Sequence, residues 1–235
     1  MATISIPSLP ASDAALRLGV SDKRVRALIS AGAIEAEKVA GVWWIPVQSL
    51  ARRVAVDSSK GGRPLNPESA WMLLLMASME SIEWGSPKVR RRVAVTLRER
   101  GLRWAFRKLG RRAERYAFVA HASELTRLLG SPDLMLTGVS AAGSHRLGLH
   151  GGEEVEAYVP VSALERVVSH HGLLSGGEGN VTLRPVSDEL WAGLHRHIAP
   201  KAAVLTDLAE HPDARVRRVA NEEAARLDRD RDAFV

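Results

Sequence analysis

Three cations near the start of the chain have the types and spacing that suit contact with a polyanion. Lys23, Arg24 and Arg26 follow Ser21 in the run SDKRVRALIS. Ser21 can cap a helix that begins at Asp22, and the cations then project from its opening turns, the part of a recognition helix that meets the major groove. Lysine and arginine there donate to phosphate oxygens or base edges. These residues are therefore predicted to bind double-stranded DNA.

Two more cations, Lys60 and Arg63, lie in the Gly- and Ser-rich run DSSKGGRP. The tripeptide Gly62-Arg63-Pro64 matches the core of an AT-hook, in which an extended arginine enters a narrow A·T minor groove. The same composition is typical of a flexible linker. Lys60 and Arg63 are candidate DNA contacts in the first interpretation, and the charge is incidental in the second.

The sequence lacks the patterns that carry common catalytic chemistry. It contains no cysteine, which excludes disulfides, thiolate nucleophiles and cysteine metal sites. A nucleophile elbow, a Walker loop, a His-Glu-x-x-His pair and a dinucleotide-binding glycine pattern are all absent. His170, His171, His195 and His197 have no carboxylate at a recurring metal-ligand spacing. We predict no catalytic residue, no metal and no cofactor, with an enzyme carrying a DNA-binding appendage as the minor alternative.

Two short helices and a hairpin are predicted to position the first group of cations. Val25, Leu28 and Ile29 share one face of the second helix, and a turn containing glycine separates it from the first. The predicted elements are a helix from Ser12 to Leu18 capped by Ser12, a helix from Asp22 to Ala31 closed by Gly32, and a hairpin of Ile34–Val39 and Val42–Ile45 around Gly41. This order predicts a helix-turn-helix with a wing.

The same residues carry a family resemblance. The run S-x-A-x-x-R-L-G-V-S-x-x-R-V-R-x-L-I-x-x-G-x-I from Ser12 to Ile34, followed by W-W-I-P, resembles the winged helix of the MerR/excisionase superfamily. The resemblance covers about the first 55 residues and implies DNA binding. Members of this superfamily often have a basic residue just before the wing aromatic, whereas this chain has Val42.

Charge divides the chain along its length. The formal net charge is +6, yet residues 1–65 and 66–116 are basic, whereas residues 117–235 hold 12 Lys/Arg against 17 Asp/Glu. A basic first half suits a polyanion, and an acidic second half suits solvent or a basic partner. The longest apolar run, Ala70 to Ala77, is far below the roughly 18 residues that a membrane span needs. We expect a cytoplasmic protein without a membrane segment.

The middle of the chain is predicted to be helical and is its most basic part. Helices are expected at Pro67–Ser81, capped by Asn66, at Pro87–Arg100, and at Leu102–Leu109 beyond a break at Gly101. Arginines recur from Arg90 to Arg112. Three interpretations stay open for them: contact with the DNA backbone, contact with the acidic second half or an RNA-like partner, and a solvated helix face.

Beyond residue 114, short strands alternate with helices of about ten residues. The strands are predicted at Tyr116–Ala120, Leu134–Val139, Val155–Val159 and Asn180–Val186, and the helices at Ser123–Leu129 capped by Ser123, at Ser162–His171, and at Lys201–Asp232 with a break at His211-Pro212. The predicted class is α+β, with a winged helix-turn-helix domain at 1–54, a flexible basic linker at 55–66, and at 67–235 a helical segment leading into a mixed α/β partner-binding domain.

A second resemblance lies in this C-terminal region. The runs Glu156-Ala-Tyr-Val-Pro160, Gly179-Asn-Val-Thr-Leu-Arg184 and Asp207-Leu-x-x-x-x-Asp213-x-Arg215 resemble actinobacterial winged-helix regulators similar to AbiEi-type antitoxins. The resemblance implies an antitoxin that represses its own operon and engages a nucleotidyltransferase-like toxin. A homodimer is expected, because one half-site is read weakly. The alternative is an excisionase-like recombination directionality factor.

Overall fold

The computed structural model describes residues 8–18, 21–30, 32, 34–39, 41–46, 49, 64–149, 153–175, 179–194 and 196–229. The chain divides into two compact units, residues 1–62 and 63–235. Each unit contains a sheet and helices, so the fold is mixed α+β, as predicted. In the described ranges, no helix combines the length and the apolar character that crossing a membrane requires.

The first unit combines two short helices with a small antiparallel sheet. Its elements are β1 (Ser8–Pro10), α1 (Ala11–Leu18), α2 (Asp22–Ser30), β2 (Glu37–Val39) and β3 (Val42–Pro46), and the strand order is β1-β3-β2. Gly32 after α2 and Gly41 between β2 and β3 have φ angles of +67° and +83°, a region that favours glycine. The small core holds the buried faces of both helices together with Ile34 and Ile45.

Three details of this unit differ from the prediction, the first being that strand β2 begins at Glu37 and not at Ile34. Helix α1 begins at Ala11, so Ser12 lies inside its first turn, where its hydroxyl donates to Asp13 Oδ1 at 3.3 Å, and the predicted cap is wrong. Strand β1 was not predicted, because a run of three residues ending in proline has no alternating pattern. It pairs Leu9 with Ile45 along β3.

The second unit is built on a five-stranded sheet of order β5-β6-β8-β4-β7, in which β6 and β8 are parallel and the other pairs are antiparallel. Its strands are β4 (Tyr116–Val119), β5 (Met135–Leu136), β6 (Val155–Pro160), β7 (Leu174–Ser175) and β8 (Val181–Val186). Its helices are α3 (Pro67–Ala77), α4 (Pro87–Ala105), α5 (Ala122–Leu129), α6 (Gly138–Ala142), α7 (Val161–His170), α8 (Asp188–Leu194), α9 (Lys201–Ala209) and α10 (Ala214–Arg229), with a 3₁₀ turn at Phe106–Lys108.

Helices α3 and α9 lie at the centre of this unit. Both are apolar on nearly every side, a pattern typical of a helix packed all round, and both are almost fully buried. Helix α3 packs against α4 and α9, and α9 also packs against α6 and α10. Asn66 Oδ1 accepts from the Ser69 amide at 2.8 Å, which confirms the predicted cap of α3.

The break predicted at Gly101 is confirmed. Gly101 has φ +78° and ψ 169°, and Asp228 of α10 accepts from the amides of Leu102 at 2.5 Å and Arg103 at 3.1 Å. The second part of α4 therefore has free N-terminal amides of its own, and Asp228 caps them from a distant helix.

The predicted strand Leu134–Val139 is wrong over most of its length. Only Met135 and Leu136 are extended, and α6 follows at once. Gly138 adopts φ +52°, which a strand does not contain, so the chain turns there. Helix α5 starts at Ala122 and is capped by His121 Nδ1, so the predicted cap at Ser123 is also wrong. Strand β7 and helix α8 were not predicted.

Candidate nucleic-acid interface

Helix α2 presents its cations on the side opposite its packed face. Val25 and Leu28 are buried in the core of the first unit, whereas Lys23, Arg24 and Arg26 are exposed. The hydroxyl oxygen of Ser21 accepts from the Arg24 amide at 3.3 Å, which is the predicted cap. The hydroxyl hydrogen of Ser21 is still able to donate to a phosphate oxygen.

The three cations of α2 differ in their electrostatic surroundings. Arg26 Nη2 lies 2.7 Å from Asp22 Oδ2 one turn earlier, so a carboxylate already balances its charge. Lys23 and Arg24 form no ion pair within the described part of the chain. These two side chains are the ones on α2 whose charge is free to neutralise phosphate.

The hairpin of β2 and β3 carries a cation that sequence reasoning missed. Lys38 faces Trp43 across the two strands, and its ammonium lies 5.7 Å from the centroid of the indole ring. Lys38 is exposed, so the hairpin carries a basic residue although Val42, directly before Trp43, is not basic. The residue could have been found from the cross-strand register, because a turn at Gly41 makes Lys38 and Trp43 neighbours on adjacent strands.

Val39, Val42 and Trp44 are exposed on the same hairpin, with Val39 directly opposite Val42. The tip of the hairpin is therefore apolar, and Lys38 lies on the strand beside it. Lys60 and Arg63, the candidate minor-groove contacts, lie outside the described residues.

A second basic surface covers α4 and the residues after it. Its members are exposed and form no ion pair within the described ranges. We call them the α4 cations: Lys88, Arg91, Arg92, Arg98, Arg100, Arg103, Arg107 and Arg111. A surface of unbalanced cations is the electrostatic pattern that binds a phosphate backbone.

Arg112 belongs to this basic run in sequence but not in space. It is buried between the carboxylates of Asp207 on α9 and Glu210 just after it, with Nη1 2.7 Å from Glu210 Oε1. Its Nε donates to the Tyr158 hydroxyl at 3.1 Å. For this arginine, contact with the acidic second half of the chain is the correct interpretation.

Arg184 on β8 completes this buried charge cluster, which we define as Arg112, Tyr158, Arg184, Asp207 and Glu210. Its Nη2 lies 3.1 Å from Glu210 Oε2 and its Nε lies 3.1 Å from Asp207 Oδ1. Two guanidinium groups thus face two carboxylates, so the charges balance. The cluster joins β6 and β8 of the sheet to the end of α9.

The electrostatics of the cluster keep all four charges in place. Burial alone would raise the pKa of Asp207, but Arg184 and Arg112 outweigh it and hold that pKa below its usual value. Burial alone would lower the pKa of Arg112, but Glu210 and Asp207 hold it above its usual value. Every charge of the cluster therefore has an opposite charge beside it, although Arg184 Nε, 3.1 Å from Asp207 Oδ1, makes no hydrogen bond with the described residues.

Glu156, close to this cluster on β6, has a different character. Burial raises its pKa, and its Oε2 accepts from the Val139 amide at 3.2 Å at the start of α6. The C-terminal resemblance was carried by three runs of sequence. The first contains Glu156 and Tyr158, the second Arg184 and the third Asp207, and all of these residues are buried.

Among the described residues, no group of three or more His, Cys, Asp or Glu side chains is arranged to hold a metal ion. His171 packs edge-on against His170, with ring centroids 4.9 Å apart, and its Nδ1 lies 3.2 Å from Glu124 Oε2. This histidine pair is therefore engaged in contacts within the fold.

Comparison of the chain with protein-family models, with curated proteins and with solved structures found no match. The functional interpretation therefore depends on the geometry and charges described above.

Proposed function

We propose that the chain is a sequence-specific DNA-binding transcriptional regulator that reads its operator with the first unit as a winged helix-turn-helix. The observation that carries the proposal is the pair Lys23 and Arg24. Both are exposed and without an ion pair in the part of the first unit that the structure describes, and both lie in the first turn of a helix fixed by Val25 and Leu28. Cations there can donate to base edges and phosphates.

The other features of the first unit support the same function. Lys38 offers a phosphate contact from the wing. A module of this size reads one half-site weakly, so the regulator acts as a dimer on a palindrome or repeat. We include Lys60 and Arg63 in the proposal as linker contacts to the minor groove.

A mobility-shift titration of the full chain against the DNA upstream of its own gene tests the proposal. Two good contacts are worth about 1–3 kcal/mol each, so replacing Lys23 and Arg24 together with alanine should weaken binding at least about thirtyfold. The matched control replaces Arg215 and Arg218, two exposed arginines of α10, and should keep nearly full affinity.

Two results would contradict the proposal. One is the absence of any salt-sensitive shift at micromolar protein. The other is an equal loss of affinity in the Lys23/Arg24 variant and its control, which would mean that net charge alone governs binding. Arg26→Ala should have a smaller effect than Arg24→Ala, because Asp22 already balances Arg26.

For the second unit we propose a partner-binding role, in which the chain is a cytoplasmic antitoxin that represses its own operon. Two observations support this role. The runs that contain Glu156, Arg184 and Asp207 resemble AbiEi-type antitoxins, and each run contributes a residue to the buried charge cluster. The partner implied is a nucleotidyltransferase-like toxin encoded next to the chain.

Co-expression of the chain with the product of the adjacent gene tests this role. We expect the neighbour alone to stop growth and the chain to restore it. An adjacent gene product without toxicity would contradict the antitoxin role and leave DNA binding to be judged by the mobility shift. Binding confined to DNA beside an integrase site would favour a recombination directionality factor.

A further inference from the structure

The second unit contains a cavity of about 230 Å³ between α3, α4 and the 3₁₀ turn at Phe106–Lys108. Leu73 and Val93 form part of its apolar wall, and Arg92, Thr96, Trp104 and Lys108 line its polar side. It lies apart from the buried charge cluster, whose residues do not line it. All of its lining residues belong to the second unit, so it is a site of that unit alone.

Lys108 is the unusual member of this cavity. It is only 6% exposed, yet among the described residues neither a carboxylate nor a hydrogen-bond acceptor binds its ammonium. The contact that it makes is with the Trp104 ring, whose centroid lies 5.6 Å from Nζ. The ammonium itself still reaches open space at the cavity, because Arg184 Nε is the one side-chain nitrogen or oxygen in the described residues that is fully buried without a hydrogen-bond partner.

Arg112, four residues later, shows how the same unit treats a cation that serves the fold. Its guanidinium is buried to a similar extent but is bound by Asp207 and Glu210. Lys108 has no such carboxylates and instead lines a cavity. A cation at the end of a largely buried side chain, facing open space and without a counter-charge from the protein, is suited to bind an anion that enters from solvent.

The other charges around the cavity indicate a multiply charged anion. Arg92 lines the same cavity and is exposed and without an ion pair in the described ranges, and the Arg100 guanidinium lies 6.0 Å from the Trp104 ring centroid. The guanidinium of Arg100 and the ammonium of Lys108 thus both lie beside the Trp104 ring, 6.0 Å and 5.6 Å from its centroid. No carboxylate lines the cavity. A phosphate monoester, with a charge of about −1.5 to −2, matches these cations better than a single carboxylate does.

The remaining wall indicates what is attached to the phosphate. An indole ring beside aliphatic side chains offers a surface on which a base or a sugar packs. The volume lies below the roughly 300–1,000 Å³ of pockets for drug-sized ligands, so the cavity encloses the phosphate and part of one nucleotide and leaves the rest in solvent.

We propose that this cavity binds one nucleotide unit, with its phosphate on Lys108 and Arg92 and its base or sugar against Trp104. The unit has two sources, a free mononucleotide or a nucleotide at the end of a single strand. The α4 cations outside the cavity, such as Arg103 and Arg107, would hold the adjoining phosphates of a strand.

Calorimetric titration of the full chain at low salt tests the proposal. The probes are the 5′-monophosphates of adenosine, guanosine, cytidine and uridine, with adenosine and inorganic phosphate as partial ligands, and ten-residue oligothymidylate with and without a 5′-phosphate. We expect at least one monophosphate or the phosphorylated oligonucleotide to bind, and both partial ligands to bind at least about tenfold more weakly.

Variants connect this binding to the cavity. Lys108→Met keeps most of the length of the side chain and removes its charge, and Arg92→Gln removes the second cation. Each should weaken binding about tenfold to a hundredfold, the range for one hydrogen bond to a charged group. Arg91→Gln, an exposed neighbour that does not line the cavity, is the matched control and should bind within about twofold of the parent.

A stability measurement separates a binding role from a structural one. Lys108→Met should unfold at about the same temperature as the parent, because the ammonium that it removes forms no ion pair or hydrogen bond with the described residues. A lower unfolding temperature would show that Lys108 supports the fold, and the exposed Arg92 would then carry the binding test.

Several results would overturn the proposal: no binding of any nucleotide probe, equal binding by the Arg92→Gln variant and its control, or inorganic phosphate binding as tightly as the nucleotides. Binding of a glutamate-rich peptide in their place would assign the cavity to a protein partner and also overturn it. The Lys23/Arg24 variant should keep full nucleotide affinity, so failure here and failure of the proposed operator binding are distinguishable.

Discussion

The guanidinium of Arg112 donates to the carboxylate of Asp207, and both side chains are almost completely withdrawn from solvent. The two residues are 95 positions apart in sequence. Arg111, the neighbour of Arg112, is exposed and belongs to the α4 cations. Two adjacent arginines thus have opposite roles, one in the fold and one on the surface.

We expect Asp207→Asn to destabilise the chain strongly. The substitution keeps the shape of the side chain but leaves Arg112 and Arg184 with Glu210 as their remaining carboxylate. Removing one partner of a buried ion pair costs about 3–5 kcal/mol, because a buried charge loses its compensation. Urea denaturation measures the loss. The control, Glu189→Gln on the exposed start of α8, should stay within about 0.5 kcal/mol, and a similar small change in Asp207→Asn would show that the cluster is not needed for stability.

Glu156→Gln should stabilise the chain increasingly as pH rises. Burial raises the pKa of Glu156 above its usual 4.5, so its favourable contribution is fully present below that pH and is lost as pH rises through the raised pKa. Glutamine does not ionise, and its side-chain oxygen can still accept from the Val139 amide. Thermal unfolding of both proteins between about pH 4.5 and about pH 8 measures the difference. A difference in midpoint that does not change with pH would contradict the expectation, and Glu165→Gln on the exposed side of α7 is the control.

The α4 cations should contribute to the salt dependence of DNA binding. Replacing Arg91, Arg98, Arg103 and Arg107 with glutamine leaves the nucleotide cavity untouched. Each lost phosphate contact should lower the slope of log affinity against log salt by about 0.9, so we expect a reduction of at least about 1. Titrations at several salt concentrations measure this slope. An unchanged slope would mean that these arginines form a solvated helix face.

Asp228→Ala should weaken the connection between α10 and α4. The Asp228 carboxylate accepts from the amides of Leu102 and Arg103 and acts as an N-cap supplied by another helix. Losing a cap costs about 0.5–2 kcal/mol. Chemical denaturation measures the loss, and Glu222→Ala on the same helix is the control, because its ion pair with Arg218 is exposed and 3.9 Å long. Equal effects of the two substitutions would contradict the capping role.

The parts of the fold that the sequence predicted are those determined locally. The cap at Asn66, the cap at Ser21 and the break at Gly101 each depend on residues within one helical turn, and all three are confirmed. The strand predicted from Leu134 failed for a related reason: the apolar run was visible, but the positive φ of Gly138 was not.

The parts that the sequence could not predict depend on distant partners. Nothing near Arg112 distinguishes it from Arg111, since its carboxylates lie on α9 and just beyond it. The isolation of Lys108 is visible only when the side chains around it are placed. In the first unit, the pairing of Lys38 with Trp43 required the strand register, whereas exposure of Lys23 and Arg24 followed directly from helical periodicity.

The cap that Asp228 provides also constrains the order in which the second unit is completed during synthesis. The amides of Leu102 and Arg103 emerge from the ribosome long before residue 228, which follows Leu102 by 126 positions. Until α10 has been made and has docked, the second part of α4 has water in place of its capping carboxylate. The final native contacts of this helix therefore form only after translation of the second unit is nearly finished, and the partly made chain keeps that segment less stable than the rest.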